Sequence, residues 1–478
     1  MKERTSNISR TIVKAMGIFG GAQVISILCS IIRTKLVAVW IGPAGVGLFS
    51  LFNNAIDMLS AATSLGIRNS SVRDMAIARQ SGKAKLVGTT IAVVKKWAWF
   101  TSIGGAVLTI ALAPLLSRIT FGTDNHSWEF VLLSVVLLFN GLTGGEQAIL
   151  QGNSALKRLA KASVWGVVGG LLISIPMFYF WREESIVPSI VAYSTMVLLF
   201  TLLFRHKDYT PVKVSAKEAY DKGIEFVRLG IYMTVSLFVT LLFAYIFSVY
   251  LNHTSGTKEV GFYQAGFTLV NKYVGLIFTA IGMEYYPRLS GIHNSRMRIH
   301  AFVSQEMNIA MLVLLPVVSL FLVMREWIVS ILYSPEFHVV IPFISFAILG
   351  TVFRAYSWCL AFVILAKGDG KTYLLTELLS TVSGFILNIV FYHYWGLTGI
   401  GISYILWYFL YCIIVGIPYF RKYGFSVARG ANRLTLFALV ATSAVLVLME
   451  TRQTAIAVAL TALLTAACLY KVYQLIKK

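Results

Sequence analysis

Apolar runs of membrane-spanning length recur along almost the whole chain, and they constrain its fold more than any other feature. A helix needs about 20 apolar residues to cross a bilayer, with roughly 17 to 25 tolerated. On that rule the 478 residues give spans over Thr11–Val39, Val46–Leu65, Leu86–Leu116, Trp128–Leu150, Leu159–Phe180 and Ile186–Phe204. A polar stretch of 24 residues, Arg205–Arg228, precedes a second set: Leu229–Leu251, Val260–Met283, Phe302–Val323, Pro342–Leu365, Thr372–Tyr392 and Leu397–Phe420. Two shorter runs, Leu434–Met449 and Thr454–Tyr470, bring the total to fourteen. The expected fold is an all-α integral membrane protein of about fourteen transmembrane helices. It divides into a six-helix bundle (1–204), a cytoplasmic linker (205–228), a second six-helix bundle (229–420) and two additional helices (421–478).

The net charge of +21 fits this topology and does not call for nucleic acid. With a cytoplasmic N-terminus, thirty of the 41 Lys and Arg residues fall on the cytoplasmic side, counting Lys14 and Lys161 in the first turns of their spans, and five on the other, with six deeper inside spans. Cytoplasmic loops of membrane proteins carry such an excess, so both termini are placed in the cytoplasm. No small-residue cleavage site ends the first apolar run, so a removed signal peptide is not expected. Four cysteines inside apolar segments, without paired spacing, predict neither disulfides nor a metal site, and seven scattered histidines add no ligand pattern. Neither a Ser/His/Asp set nor paired carboxylates stand out, and the outward connections are short, so an enzyme is not expected.

An internal repeat appears at an offset of 214 residues: Val46-Gly47-Leu48-Phe49 matches Val260-Gly261-Phe262-Tyr263, and Asp57 falls on Asn271. Each repeat holds six spans, so both start from the same side, as in carriers built from two parallel bundles.

Charge inside a span is costly and usually marks function. The second span carries Ser50, Asn53, Asp57, Ser60, Ser64 and then Arg68 at steps of three and four, which is one helical face. Asp57 with Asn53 a turn earlier points to a water-filled cavity. In the first span Arg33 ends a similar stripe, and Lys35 lies about 200° around the helix from it, so the two cations cannot face the same way on a regular helix. In the second half Gln264, Thr268, Asn271 and Gly275 repeat the stripe, with Lys272 beside Asn271. Arg354 lies midway along its span, too deep for easy snorkelling, and is the strongest candidate for an interior cation. Glu377 shares a face with Thr381, Gly384 and Asn388, and Glu146 and Glu284 also lie near cytoplasmic span ends. Lys95 and Lys96 before Trp97 and Trp99 read as an interfacial cluster. Gly368-Asp369-Gly370-Lys371-Thr372 imitates the end of a phosphate-binding loop but lacks its first glycine and follows a helix.

Arg33–Phe52 (RTKLVAVWIGPAGVGLFSLF) resembles the first helix junction of O-antigen translocases. These are Wzx-type flippases of the multidrug/oligosaccharidyl-lipid/polysaccharide exporter superfamily. Val363–Ser380 (VILAKGDGKTYLLTELLS), with Arg354 upstream, is similar to a later region of the same family. The resemblance implies alternating access in a bacterial inner membrane, moving an undecaprenyl-pyrophosphate-linked oligosaccharide from the cytoplasmic to the periplasmic leaflet. Its implied partners are that substrate, membrane lipids and polysaccharide-assembly proteins. Arg33 or Lys35 and Arg354 match positions where the family places basic residues thought to hold the pyrophosphate; Lys272, Asn53 and Asn271 are added from the stripes alone. Asp57 and Glu377 are candidates for coupling or charge relay. Neither cofactor nor metal is implied, and coupling to H+ or Na+ is left open. The alternatives are a multidrug cation antiporter of the same superfamily, which should have an acidic cavity, and an O-antigen polymerase or ligase, which should carry a larger periplasmic loop. A passive scaffold would leave the buried cations without a role.

Overall fold

The computed structural model describes the backbone of residues 2–64, 66–206, 209, 211–275, 277–278, 281, 285, 288–289, 291–292 and 295–477. Among these the side chains of 2–20, 67–70, 80, 222–223, 225–233, 272–273 and 475–476 are not described. The regular structure there consists entirely of helices. Among the described residues, ten segments are long and apolar enough to cross a membrane. Two of them, Leu156–Leu203 and Gly370–Lys422, are each a pair of helices joined without a loop. The chain is a multi-pass integral membrane protein.

By compactness the chain divides at Gly261 into Met1–Gly261 and Phe262–Lys478. The first unit contains α1 (Lys2–Trp40), α2 (Gly42–Ser64), α3 (Ile67–Gln80), α4 (Ala84–Phe121), α5 (Ser127–Gly152), α6 (Leu156–Trp181), α7 (Ile186–Leu203) and α8 (Ala216–Ser255). α1 reverses into α2 at Gly42, whose φ of 87° a side chain rarely tolerates. Pro43 sits in the first turn of α2, where its missing N–H costs nothing. α2 is absent from the ten apolar segments because its own polar stripe dilutes its apolarity. Phe52, Leu133, Ile190 and Tyr245 meet in the core of this unit. Between helices in lipid there is little hydrophobic drive, so small residues must bring backbones close. A Cβ on Gly166 would lie 2.9 Å from the Cα of Val197, which is how α6 and α7 approach.

Two elements differ from the sequence expectation. The connection after α2 is helical: α3 buries Ser71, Met75 and Ala78 and exposes Arg73 and Arg79, an amphipathic segment too polar to read as a span. The polar stretch from Arg205 is helical from Ala216 onward, because Ser215 accepts a hydrogen bond from the Glu218 amide at 3.1 Å and so caps α8. α8 packs with the first unit, although its sequence opens the second set of spans. Asn54 Nδ2 donates to Ser248 Oγ (3.0 Å), the Thr120 and Tyr245 hydroxyls lie 2.5 Å apart, and Asn252 Nδ2 donates to the Thr120 carbonyl (2.7 Å).

α9 (Thr257–Phe267) crosses the division and continues as a π-helical turn, Thr268–Tyr273. The second unit then contains α10 (Arg296–Leu332), α11 (Ile341–Ala366), α12 (Gly370–Ile417), α13 (Arg429–Glu450) and α14 (Thr454–Lys477). α12 reverses at Gly396, and its halves run antiparallel: Asn388 meets Ser403, Ser380 meets Trp407 and Glu377 meets Tyr411. The last two helices pack on α10. There the buried Arg325 donates to Ser345 Oγ on α11 (2.7 Å) and to Glu450 Oε1 at the end of α13 (2.6 Å).

Candidate functional site

In the second unit the site is built around Arg354, half-buried in the middle of α11. Its Nη1 donates to Asn271 Oδ1 at 2.8 Å and to the Tyr404 hydroxyl at 3.3 Å. Tyr404 in turn donates to the same Asn271 oxygen at 2.9 Å, closing a three-membered network across the π-helical turn, α11 and the second half of α12. The rings of Phe278 and Tyr408 lie 5.0 and 5.6 Å from the guanidinium carbon. Among the described residues Arg354 makes no ion pair, so its charge is held by dipoles and π faces alone. Single-turn π segments often mark functional sites, and this one carries Asn271. The side chain of Lys272, like Glu284 and the Arg68 side chain, lies outside the described residues.

The first unit has a half-open cavity of about 570 Å³ between α2, α4, α5, α7 and α8. Asp57, Ser60 and Ser64 of the α2 stripe line it, together with Thr101, Asn140 and Gln147, and among the described residues Asp57 is the one charged member of the lining. The other half of the stripe turns inward. Ser50 Oγ donates to the Val46 carbonyl (2.7 Å) and Asn53 Nδ2 to the Phe49 carbonyl (2.6 Å), so both satisfy themselves on their own helix.

Arg33 and Lys35 part as the helical geometry requires. Lys35 is exposed. Arg33 is 8% exposed, with Nη2 donating to the Ser189 carbonyl at 3.1 Å and its guanidinium carbon 4.4 Å from the Tyr193 ring and 4.8 Å from Phe49. Its Nε is buried without a partner. Arg33 is therefore part of the packing of α1, α2, α6 and α7, outside the residues that line the cavity. Glu377 is half-buried and accepts a hydrogen bond from Tyr411 inside the α12 hairpin.

The Lys95–Trp99 cluster differs from an interfacial girdle. Lys95 pairs with Glu146 (3.2 Å) and contacts the Tyr209 hydroxyl (3.3 Å), Lys96 donates to the Val214 carbonyl (2.5 Å), and the buried Trp97 donates to the Ala219 carbonyl (2.6 Å). Together they fasten the connection before α8 to the first unit; Trp97 is buried and Lys95 half-buried, while Lys96 and Trp99 are exposed. The Gly368–Thr372 imitation of a phosphate loop is a helix start: Gly368 has φ 72°, and Asp369 caps α12 through the Thr372 amide (3.2 Å) and hydroxyl (2.8 Å). Lys422 and Tyr423 also donate to Asp369, at 2.5 and 2.7 Å. Burial pushes the Asp369 carboxyl up, but these donors outweigh it and hold the group well below the usual carboxylate range.

Sequence reasoning found Arg354 and Asn271 separately but not Tyr404, whose partner lies 133 residues away and whose own surroundings read as ordinary apolar helix.

The sequence pattern of the polysaccharide biosynthesis protein family matches residues 36–342. The lipid III flippase of Escherichia coli (strain K12) is 25% identical over 376 residues, 75% of this chain and 85% of that protein. Among solved structures, the lipid II flippase MurJ in an inward closed conformation superposes with a TM-score of 0.71 at 12% identity, covering 96% of this chain and 99% of its own. An inward-facing multidrug-resistance MATE transporter of the MOP superfamily superposes with a TM-score of 0.69 at 14% identity, covering 84% of this chain and 94% of its own. At these identities the two structures establish the fold.

Proposed function

The chain belongs to the family of polysaccharide biosynthesis proteins, and from that premise we propose that it is a flippase for a lipid-linked oligosaccharide. The substrate we assign is an undecaprenyl-pyrophosphate-linked O-antigen unit or similar glycan repeat, moved to the periplasmic leaflet of a bacterial inner membrane by alternating access. In this reading the N- and C-termini are cytoplasmic, and the protein performs transport without catalysing a covalent step. A relative named as a lipid III flippase supports the substrate class.

One observation carries the reading. Among the described residues, Arg354 holds a positive charge halfway along a membrane helix in contact with Asn271, Tyr404 and two aromatic rings, with no carboxylate partner. A buried cation without a carboxylate is suited to an anion that arrives and leaves, and arginine meets phosphate oxygens with two parallel donors. A site of this sign repels cationic drugs, which favours the flippase over the antiporter alternative in the second unit, while the acidic Asp57 lies in the first unit's cavity. Arg33, Lys35 and Lys272 remain further basic candidates and Asn53 a polar one, but Arg354 is the group to which we assign the pyrophosphate. Asp57 in the first unit's cavity is our candidate for binding a coupling H+ or Na+, and Glu377 for relaying charge within the α12 hairpin.

The test is translocation of O-units in a flippase-deficient strain at matched protein levels. Arg354→Ala should abolish it, and Arg354→Lys should retain part of it. Undiminished transport by Arg354→Ala and by Arg33→Ala would remove the cationic-site argument.

A further inference from the structure

At the repeat offset of 214 residues, Asn271 falls on Asp57. Corresponding positions of the two sequence repeats thus carry a carboxylate in one unit and an amide in the other. Asp57 gives the first unit's cavity its charge. Asn271 instead touches a cation, with its Oδ1 2.8 Å from Arg354 Nη1.

We propose that Asn271 is the residue that sets the charge selectivity of the second unit's site: it orients Arg354 without neutralising it, and so keeps the site able to take a phosphoryl anion. The inference rests on the flippase reading and names the atoms through which that reading works. An amide oxygen accepts hydrogen bonds without bringing a negative charge, whereas a carboxylate at the same distance would form a charge-assisted pair with the guanidinium and occupy it. Tyr404 fixes the amide orientation, because it too donates to Oδ1 and so points the NH2 group the other way. Among the described residues, that Nδ2 is buried with no hydrogen-bond partner. A buried donor without an acceptor, beside an unneutralised guanidinium, is a place prepared for oxygen atoms of an anion. Phe278 and Tyr408 lie against the guanidinium within cation–π distance, and the arginine fork meets phosphoryl oxygens in its own plane. Tyr404 is a positioning residue in this scheme.

The experiment is calorimetric titration of inorganic pyrophosphate into the purified full-length protein in phosphatidylcholine nanodiscs, with melting temperature recorded for each variant. The wild type should bind. Asn271→Asp should weaken binding at least about tenfold while melting at or above the wild-type temperature, because the new carboxylate pairs with Arg354. Arg354→Gln, a second variant free of any new charge, should lose binding as well. Repeating the titration in nanodiscs containing phosphatidylglycerol separates the sources of the phosphoryl group. Weaker pyrophosphate binding there supports the site and shows that a lipid headgroup also enters it, and unchanged binding supports a site reserved for the pyrophosphate. Wild-type protein that ignores pyrophosphate, or Asn271→Asp or Arg354→Gln protein that binds it as the wild type does, overturns the inference. Binding that depends on Asn271 in a chain that fails to restore translocation would keep this inference and remove the flippase reading. Undiminished translocation by Asn271→Asp would do the reverse.

Discussion

Gly47 and Gly261, which occupy the same position in the two sequence repeats, cross each other backbone to backbone. A Cβ on Gly47 would come within 1.9 Å of the Thr257 carbonyl oxygen, and one on Gly261 within 2.0 Å of the Pro43 carbonyl oxygen. Neither obstacle is a side chain that could swing aside, so the start of α2 and the start of α9 can touch only because both residues lack a side chain. Gly47→Ala and Gly261→Ala should each cost about 1–3 kcal/mol, the usual range for overpacking. Both act on one crossing, so the double variant should melt well above the temperature that the two single losses predict together. Additive losses would mean that the two positions do not share a contact.

Arg33 should behave as a packing residue more than Arg354 does. Replacing it with alanine opens a void among Phe49, Phe178 and Tyr193 and should cost about 2–5 kcal/mol. Arg33→Met fills the volume and removes an orphaned Nε, so it should melt close to the wild type. Transport by Arg33→Met should exceed transport by Arg354→Gln at matched protein levels. The reverse order would make Arg33 the principal substrate cation.

The connection before α8 should loosen when its anchors are removed. Trp97→Phe removes the side-chain donor to the Ala219 carbonyl, a loss of roughly 0.5–1.5 kcal/mol locally. Limited trypsin digestion should then cleave at the exposed Lys213 faster than in the wild type, and Lys96→Ala should act in the same direction through Val214. Cleavage rates equal to wild type in both variants would show that the strap is held elsewhere.

Asp369 predicts an acid-side loss of stability. Its folded carboxyl is held below its unfolded value by Lys422, Tyr423 and Thr372, against the opposing effect of burial. A depressed carboxylate contributes stability that is fully present above the unfolded value, near pH 4, and lost as pH falls through the folded one. The melting temperature of the wild type should therefore drop below about pH 4 more steeply than that of Asp369→Asn. Parallel curves for the two proteins would rule out a contribution from this carboxyl.

The sequence made the spans legible because each apolar run is a local property, and the reversals at Gly42 and Gly396 lie at the expected junctions. Asn271 and Arg354 were legible too, one from a helical stripe and one from a charge too deep to reach the surface. Their pairing was not, since no periodicity links positions 83 residues apart. The same limit hid Tyr404. α3 escaped because amphipathic helices of modest apolarity look like loops when the eye is set for spans, and Arg33 looked like a cavity residue because a buried cation over aromatic rings leaves no trace in charge counts. The docking of α8 depends on Asn54, Thr120 and Asn252, ordinary polar residues until their partners are known.

The bend at Gly396 carries a consequence for how such a chain can diversify. Its φ of 56° and ψ of −141° suit glycine alone in practice, although a Cβ there would meet nothing within 4 Å. The constraint is thus purely torsional, and a single residue does what a loop does elsewhere. Loops are where homologous chains gain inserted segments and new epitopes. A corner one residue wide has no room for either, so variation in what this face of the molecule presents must come from side chains such as the exposed Tyr394 and Trp395, by substitution and not by growth.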